Sequence, residues 1–329
     1  MRYSMLIGGQ RQAGHTQKTF ELVEPATGEV WTEVAQADGT DVDAAIAIAE
    51  RAHEDGVWSH TSATARGRVL LRAAELLRER AESFAQVEAR NSGKPIGDAR
   101  GEVGLAAACL EYYGGAANKF FGEVIPVSDP GLDVVMREPV GVVGLIVPWN
   151  FPLLIATWKT APALACGNPV LLKPASYTPL TALMLGELLV EAGVPEACMS
   201  VLPGPGAEVG GRLVADPRVA KISFTGETTT GISILKASAD NLTRVSLELG
   251  GKSACVVFAD ADIDKCVDST AMAVFGNAGQ DCCARSRILV ERSAYDGFVD
   301  TFAARTAKIR VGDPLEEATE MGPLVSHSQ

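Results

Sequence analysis

Five short apolar runs between residues 142 and 258 constrain the fold of the chain more than any other feature. They are rich in valine, leucine and isoleucine and alternate with segments of helical character: residues 142–147, 170–172, 201–202, 221–224 and 255–258. Short continuous apolar runs are typical of parallel strands that helices cover on both faces. We therefore predict an α/β fold with a doubly wound parallel sheet.

The residues that directly follow these runs are the first candidates for a binding site, because ligands of doubly wound sheets bind outside the carboxyl ends of the strands. Gly226 and Gly231 could let a backbone approach a pyrophosphate at a helix N-terminus. Their segment is not a Gly-x-Gly-x-x-Gly fingerprint, so an ordinary turn explains the two glycines equally well. The positions that follow the runs are Pro148-Trp149-Asn150, Lys173-Pro174-Ala175-Ser176, Gly204-Pro205-Gly206 and Thr225-Gly226.

Composition and charge exclude several classes of protein. The chain has 329 residues, 47% of them apolar, which suffices for the cores of about two domains. Its net charge is -12 and it contains no basic block, so we predict no nucleic-acid partner. No apolar run reaches the ~18 residues of a membrane helix, and residues 1–9 lack the apolar segment of a secretory signal. We predict a cytoplasmic protein without a membrane segment.

Cysteine is the most promising source of chemistry. The seven cysteines are odd in number and lack Cys-x-x-Cys spacing, so a disulfide framework and a bound metal are not expected. The four histidines lie far in sequence from the glycine-rich segments, which disfavours a Ser-His mechanism. Cys282 and Cys283 follow a Gly279-Gln280 turn, where a thiol can be exposed and activated, whereas a cysteine inside an apolar run, such as Cys255, is usually inert. Spacing alone does not choose between Cys282 and Cys283.

The first third of the chain is predicted to be mostly helical after a short strand-and-turn opening. Asp41 is the predicted N-cap of an alanine-rich helix that runs to His53. A longer helical pattern follows and stops at residues 91–95. Residues 123–127 and 132–136 are two β-rich runs separated by a turn at 128–131, which predicts a hairpin.

Five motifs in matching order and spacing show that the chain resembles the aldehyde dehydrogenase superfamily. One such motif would be weak, but five in register are highly specific, and the resemblance extends from near the N-terminus to the last residue. Phe275, Asn277, Gly279-Gln280 and Cys282 match the nucleophile motif of that family, and Glu248-Leu249-Gly250-Gly251 matches its glutamate motif. The other three are Pro148-Trp149-Asn150-Phe151, Lys173-Pro174-Ala175 and Phe224-Thr225-Gly226.

The resemblance implies oxidation of a small-molecule aldehyde to a carboxylic acid, with hydride transfer to NAD or NADP. The family's nucleophile lies two residues after the glutamine, which selects Cys282. Asn150 and the Cys282 backbone N–H would hold the oxyanion, and Glu248 would activate the water that hydrolyses the thioester. The resemblance implies that Lys173 is both a catalytic and a cofactor-binding residue.

The resemblance also implies which residues bind the cofactor and line an aldehyde tunnel. The tunnel residues are Phe151, Leu154 and Trp158, although an apolar helix face packed in the core predicts the same residue types. The implied cofactor-binding residues are Ile146, Trp149, Lys173, Ser176, Gly206, Phe224, Gly226, Glu227, Gly231 and Leu249.

Two positions depart from the family pattern. Ser176 stands where NAD-preferring relatives commonly carry a glutamate that binds the adenine ribose hydroxyls. Without that carboxylate a 2′-phosphate is repelled less, and Lys173 lies close enough in sequence to help bind it, so we predict that NADP is accepted. Glu227 stands where relatives often carry a serine near the pyrophosphate, and a carboxylate there repels phosphate unless it turns to solvent.

The resemblance divides the chain into three parts. They are a Rossmann-like dinucleotide-binding domain (residues 1–119 and 138–249), a hairpin oligomerisation arm (120–137), and the N-terminal part of an α/β catalytic domain (250–329). Residues 321–329 match the middle of the family's catalytic domain, so we expect a C-terminal part to be absent, and the full-length form to be a homo-oligomer. Two alternatives follow: a truncated fragment that binds dinucleotide without catalysis, and a cofactor-independent thiol esterase that uses Cys282.

Overall fold

A computed structural model describes residues 2–128 and 130–329 of the chain, so that Met1 and Asp129, the latter in the predicted hairpin turn, lie outside the described residues. The strands are β1 (Arg2–Tyr3), β2 (Met5–Ile7), β3 (Gln10–Gln12), β4 (Thr19–Val23), β5 (Val30–Ala35), β6 (Glu123–Ile125), β7 (Asp133–Val135), β8 (Val142–Ile146), β9 (Val170–Lys173), β10 (Met199–Val201), β11 (Val219–Gly226), β12 (Arg244–Leu249), β13 (Ala254–Val257) and β14 (Arg287–Val290). The helices are α1 (Gly39–Glu54), α2 (Ala63–Glu79), α3 (Ala81–Ser92), α4 (Ile96–Ala116), α5 (Pro152–Ala165), α6 (Leu180–Ala192), α7 (Gly211–Ala215), α8 (Thr228–Ser238), α9 (Ile263–Phe275) and α10 (Tyr295–Thr306).

A seven-stranded sheet organises the larger part of the molecule, with the strand order β12-β11-β8-β9-β10-β2-β3. The strands from β12 to β10 are parallel, whereas β2 and β3 pair antiparallel at the other edge. The chain runs outward from β8 through β9 to β10 and then returns to the opposite side of β8 for β11 and β12. The predicted α/β fold is confirmed, and the reversal beside β8 creates a crevice at the carboxyl ends of β8 and β11.

Helices cover both faces of this sheet, and alternate residues of the central strand are buried on opposite faces. In β8, Val143 and Leu145 pack into a core formed with α2 to α6, whereas Val142 and Ile146 pack into a second core with α1, α7 and α8. A strand that is apolar on both faces must be covered twice. The apolar runs at residues 142–147, 170–172 and 201–202 therefore correspond to strands between two helical layers.

One edge strand of the seven-stranded sheet was not predicted. Residues 255–258 follow the predicted βαβ pattern, because β13 pairs parallel with β14, and these two strands form a separate two-stranded sheet. The parallel strand next to β11 is β12, which alternates exposed and half-buried residues. Such alternation is expected of an edge strand with one wet face, and a search for continuous apolar runs does not detect it.

The N-cap of α1 also differs from the prediction. Asp38, not Asp41, occupies the N-cap and accepts from the backbone N–H groups of Thr40 and Asp41. Asp41 is the third helical residue, and its carboxylate accepts from the Asp38 N–H at 3.0 Å. The two aspartates form a reciprocal capping box, in which the earlier acid caps the helix.

The remaining parts are smaller and more exposed. Strands β6 and β7 pair antiparallel, and their hairpin exposes Val124, Leu132 and Met136. Strands β13 and β14 with α9 and α10 surround a small core of Val257, Val267 and Phe298. Across the two described stretches, no helix has both the length and the apolar character needed to cross a membrane.

Candidate active site

A cavity of about 920 Å³ opens at the carboxyl ends of β8, β9 and β11 and extends to the first turn of α8. We call it the sheet-end cavity. Three strand ends and a helix N-terminus converge on it, as in dinucleotide-binding sheets. Eight of the ten residues predicted to bind cofactor line it: Ile146, Trp149, Lys173, Ser176, Gly206, Phe224, Gly226 and Glu227.

Two polar side chains on one wall of the sheet-end cavity are held by backbone carbonyls. Lys173 is buried and its Nζ donates to the Pro174 carbonyl at 2.9 Å. Burial lowers the pKa of Lys173 to about 8, because the charged ammonium loses hydration. The Ser176 hydroxyl donates to the Gly204 carbonyl at 3.0 Å.

The carboxylate of Glu227 stands at the N-cap of α8 but makes no capping hydrogen bond, and the residue is exposed. Its side chain is therefore free to point into solvent. When the Glu227 carboxylate points into solvent, the first backbone N–H groups of α8 remain able to bind an anion in the sheet-end cavity.

Gly231 and Leu249, the other two residues predicted to bind cofactor, contact each other beside the cavity rather than lining it. A Cβ on Gly231 would come within 2.8 Å of the Leu249 Cδ2. The missing side chain thus lets α8 pack closely on β12. This placement gives both residues a packing role.

A second cavity, of about 830 Å³, contains the thiols. We call it the thiol cavity. Its lining includes Cys282, Cys283, Glu248 and Trp158, which brings the predicted nucleophile, the predicted base and one predicted tunnel residue together. Thr225 lines both this cavity and the sheet-end cavity. The end of β11 is therefore a wall that the two cavities share.

The loop before Cys282 has an uncommon backbone conformation. Asn277, Ala278 and Gly279 have successive φ values of 51°, 57° and 75°. For the two residues with a side chain this conformation is costly and persists only where surrounding contacts enforce it. Gln280 supplies such contacts: it is buried, its Nε2 donates to the Asn277 carbonyl at 3.2 Å, and its Oε1 accepts from the Val325 N–H at 2.9 Å.

Both thiols are exposed at the end of this loop, with their Sγ atoms 3.8 Å apart. Partial loss of hydration, with Cys283 and Asp281 nearby, raises the pKa of Cys282 to about 11. The Asp281 carboxylate accepts from the Cys283 N–H at 2.8 Å. A thiol in this state is protonated at neutral pH, so its use as a nucleophile requires loss of the proton.

Asn150 lies behind the nucleophile loop. Its Nδ2 donates to the Gln280 carbonyl at 3.0 Å. The backbone carbonyl of Asn150 accepts from Asn277 Nδ2 at 2.8 Å and from Lys94 Nζ at 2.9 Å. A side-chain amide has two N–H bonds, so one donor of Asn150 remains for a ligand.

The three predicted tunnel residues lie in different places. Trp158 lines the thiol cavity, whereas Leu154 is buried in the core and Phe151 packs against it. The Phe151 ring also lies 4.6 Å from Lys94 Nζ. The cavity thus includes one of the three, and core packing accounts for the positions of Phe151 and Leu154.

Lys159, which sequence reasoning missed, lines the thiol cavity with Glu248. Its Nζ donates to the Ser223 hydroxyl at 2.8 Å. Burial lowers the pKa of Lys159 to about 8, and the negative charge of Glu248 opposes that decrease. A signal was present in the sequence, because Lys159 is the one charged residue of helix α5.

A buried ion cluster of Lys94, Glu88 and Glu102 supports the segment that carries Asn150. Lys94 Nζ donates to Glu102 and lies 3.9 Å from Glu88. The carboxylates accept hydrogen bonds from backbone N–H groups at the start of α5. The Leu154 N–H, for example, donates to Glu102 at 2.9 Å. Burial and the neighbouring Glu102 raise the pKa of Glu88 to about 8. Only the folded structure reveals this cluster, because its members are six to eight residues from Lys94 in sequence.

We expect Lys94→Met to destabilise the fold by about 3–5 kcal/mol, because it leaves the buried Glu102 carboxylate without its cation. Urea denaturation measures this loss. The matched control is Arg100→Met, which breaks exposed ion pairs to Glu82 and Glu317 and should cost at most about 1 kcal/mol. Equal losses for the two variants would contradict a structural role for the buried cluster.

The fold and the two adjoining cavities define an α/β protein with exposed thiols beside the carboxyl edge of its sheet, and comparison with known proteins gives the family. The model of the aldehyde dehydrogenase family matches residues 12–329. Aldehyde dehydrogenase family 2 member B4, mitochondrial, of Arabidopsis thaliana is 44% identical over 327 residues, 99% of this chain and 61% of that protein. The cytosolic 10-formyltetrahydrofolate dehydrogenase of Pongo abelii is 42% identical over 332 residues, 99% of this chain and 37% of that protein.

Solved structures agree with this assignment. PnpE of Pseudomonas sp. WBC-3, in complex with nicotinamide adenine dinucleotide, is 45% identical and has a TM-score of 0.96, over 99% of this chain and 67% of that one. The chain belongs to the aldehyde dehydrogenase family. It spans between 37% and 67% of the length of these relatives.

Proposed function

We propose that this chain carries the cofactor site and the thiol centre of an NAD(P)-dependent aldehyde dehydrogenase, which oxidises an aldehyde to a carboxylic acid. The observation that carries the proposal is the meeting of the two cavities at Thr225, with Cys282 and Glu248 on the thiol side. A hydride can pass between two reactants only when they are held in contact. Adjoining cavities with a common wall meet that requirement.

The residues of the sheet-end cavity fit a nicotinamide dinucleotide. Backbone N–H groups at the start of α8 suit the pyrophosphate, and Lys173 and Ser176 suit ribose hydroxyls or a 2′-phosphate. When bound there, the cofactor would accept the hydride. The solved PnpE complex with nicotinamide adenine dinucleotide supports this assignment.

Cys282 is the proposed nucleophile. Its raised pKa of about 11 keeps the thiol protonated at neutral pH, so the rate of attack should rise as the pH is raised above 7. The thiol loses its proton to solvent at its exposed face, and the Sγ electron pair forms the C–S bond to the aldehyde carbon. The second N–H of the Asn150 amide and the Cys282 backbone N–H are the proposed donors to the resulting oxyanion.

Glu248 is the proposed base of the second half-reaction. After the aldehyde C–H electron pair has left as hydride, a thioester joins Cys282 to the acyl group. Glu248 would take a proton from water, whose oxygen attacks the thioester and releases the acid and the thiolate. Lys159 lines the same cavity as Glu248, and the negative charge of Glu248 favours the ammonium form of Lys159.

The proposed substrate is a small-molecule aldehyde with an apolar body. Much of the thiol cavity is apolar, and Phe121, Ile155 and Trp158 are among its lining residues. Phe151 and Leu154 remain predicted tunnel residues without a place on that lining.

The proposed cellular setting is a homo-oligomer in the cytoplasm. The exposed apolar residues of the hairpin β6–β7, such as Leu132 and Met136, favour pairing with another copy. Seven free cysteines suit a reducing compartment such as the cytoplasm. Of the matched relatives, one is named as cytosolic and another as mitochondrial.

Three assays on the same preparation separate this function from its alternatives. The proposal expects NAD(P)H and carboxylic acid to form in equal amounts from hexanal. A thiol esterase would hydrolyse 4-nitrophenyl acetate without producing NAD(P)H from hexanal. A binding fragment would quench its tryptophan fluorescence with NAD or NADP but turn over neither substrate, and either of these two patterns would reject the proposal.

Ser176 should allow both cofactors. We expect NADP to bind no more than about tenfold worse than NAD, a difference in binding free energy of at most about 1.4 kcal/mol. Ser176→Glu should weaken NADP binding by at least about tenfold, because a carboxylate would repel the 2′-phosphate, and should leave NAD binding unchanged or tighter. Fluorescence titration measures both constants, and Ser233→Glu, elsewhere on the same cavity, is the control for added charge. If NADP bound more than tenfold worse than NAD to the unmodified chain, the cofactor prediction would be wrong.

A further inference from the structure

The side chain of Asn277 links two segments that are far apart in sequence. It is buried, and its Nδ2 donates to the Asn150 carbonyl at 2.8 Å and to the Gln280 carbonyl at 3.2 Å. Asn150 belongs to the loop between β8 and α5, and Gln280 belongs to the loop that presents Cys282. Asn277 therefore bridges the segment of the proposed oxyanion donor and the segment of the proposed nucleophile.

The hydrogen bonds of this bridge end on backbone carbonyls of the two segments that carry Asn150 and Cys282. Asn150 Nδ2 also donates to the Gln280 carbonyl, at 3.0 Å. One carbonyl thus receives two amide donors, while both N–H bonds of Asn277 Nδ2 are used on two carbonyls. This arrangement leaves Asn277 without a free donor for a ligand, whereas Asn150 keeps one.

Backbone conformation gives a second, independent reason for an asparagine at this position. The φ of Asn277 is 51°, and asparagine adopts this left-handed region more readily than most residues with a side chain. Holding a strained backbone in a buried loop requires compensating contacts. The two donor bonds and the contact from Gln280 Nε2 to the Asn277 carbonyl supply them.

We propose that Asn277 is a positioning residue, which holds the Asn150 amide in register with Cys282 and does not itself contact the substrate. The proposal rests on the proposed function, because it assigns Asn150 and Cys282 to one reaction. Small displacements between a donor and a reacting atom can reduce a rate by about 100-fold. Losing the bridge should therefore slow the chemical step without altering cofactor binding.

A double-mutant cycle on kcat for hexanal oxidation tests the proposal. Asn277→Gly removes the amide and tolerates the positive φ, and we expect kcat to fall by roughly 30- to 100-fold with the KM for cofactor unchanged. In an Asn150→Ala background, the same change should lower kcat by less than about threefold, since the group it positions is gone. Equal fold losses of kcat in both backgrounds would overturn the proposal, because a residue with a merely structural role would lower kcat by the same factor whether or not Asn150 is present.

The neighbouring Ala278 offers a matched control. It is buried and has a φ of 57°, so Ala278→Gly adds the same backbone freedom without removing an amide. We expect its kcat to stay within about threefold of the unmodified chain. A loss as large as that of Asn277→Gly would assign the effect to loop flexibility and reject the positioning role.

Amide hydrogen exchange provides a readout that does not depend on turnover. Asn277→Gly should speed exchange in residues 148–155 and in residues 276–284 together, by at least about tenfold, whereas Ala278→Gly should affect the second segment alone. Unchanged exchange in residues 148–155 would overturn the bridge even if the enzyme is active. Faster exchange in a chain that forms no NAD(P)H would instead support the bridge and reject the proposed function.

Discussion

Cys282→Ala is expected to lower aldehyde-dependent NAD(P)H formation by at least about 10⁴-fold, because no covalent intermediate can form without the nucleophile. Cofactor binding should be unchanged, since Cys282 lines the thiol cavity and not the sheet-end cavity. Initial rates measured by NAD(P)H absorbance, together with fluorescence titration of the cofactor, test both statements.

Cys283→Ala is the matched control, because Cys283 is the adjacent exposed thiol in the same cavity. Its rate should stay within about threefold of the unmodified chain. Residues alone could not choose between the two cysteines, and the resemblance to a family chose Cys282. If Cys283→Ala abolished activity and Cys282→Ala retained it, the assignment of the nucleophile would be reversed.

Glu248→Gln should have the next largest effect, a decrease in steady-state kcat of about 10²- to 10⁴-fold. The amide keeps the shape of the side chain but cannot take a proton from water. Because hydride transfer precedes hydrolysis, the first turnover should survive as a burst of NAD(P)H with an amplitude near one per active site. Stopped-flow absorbance measures the burst and the slow phase separately.

Glu227→Gln is the control for loss of a carboxylate near the bound ligands. Glu227 is exposed on the sheet-end cavity, away from the lining of the thiol cavity. We expect its kcat to change by less than about threefold, with slightly tighter cofactor binding because repulsion of the pyrophosphate is removed. A Glu248→Gln variant that lost the burst as well as steady turnover would place Glu248 in the first half-reaction instead.

The fold was largely predictable where local sequence and tertiary environment agree. The apolar runs that became β8, β9 and β10 are buried on both faces, so their composition reports their environment directly. Strand β12 was missed because its alternating pattern reflects exposure at a sheet edge. Asp41 was mistaken for an N-cap because two aspartates three residues apart share one capping box.

The candidate site was predictable to the extent that its residues sit at strand ends. Eight of the predicted cofactor residues line the sheet-end cavity for this reason. Gly231 illustrates the limit, since a glycine needed for close helix packing and one needed near a phosphate look alike in sequence. Lys94 and Asn277 act through contacts with Asn150, which lies 56 and 127 residues away from them, and local patterns carry no information about such pairs.

The thioester on Cys282 is the species that tests the central claim most directly. Glu248→Gln, mixed with hexanal and NAD(P) and quenched in acid, should gain the mass of one hexanoyl group, and peptide mapping should place it on Cys282. The adduct should be absent without NAD(P), because oxidation must precede thioester formation. An adduct on another residue, or an enzyme that completes a burst of NAD(P)H with no acyl group on Cys282, would contradict the account.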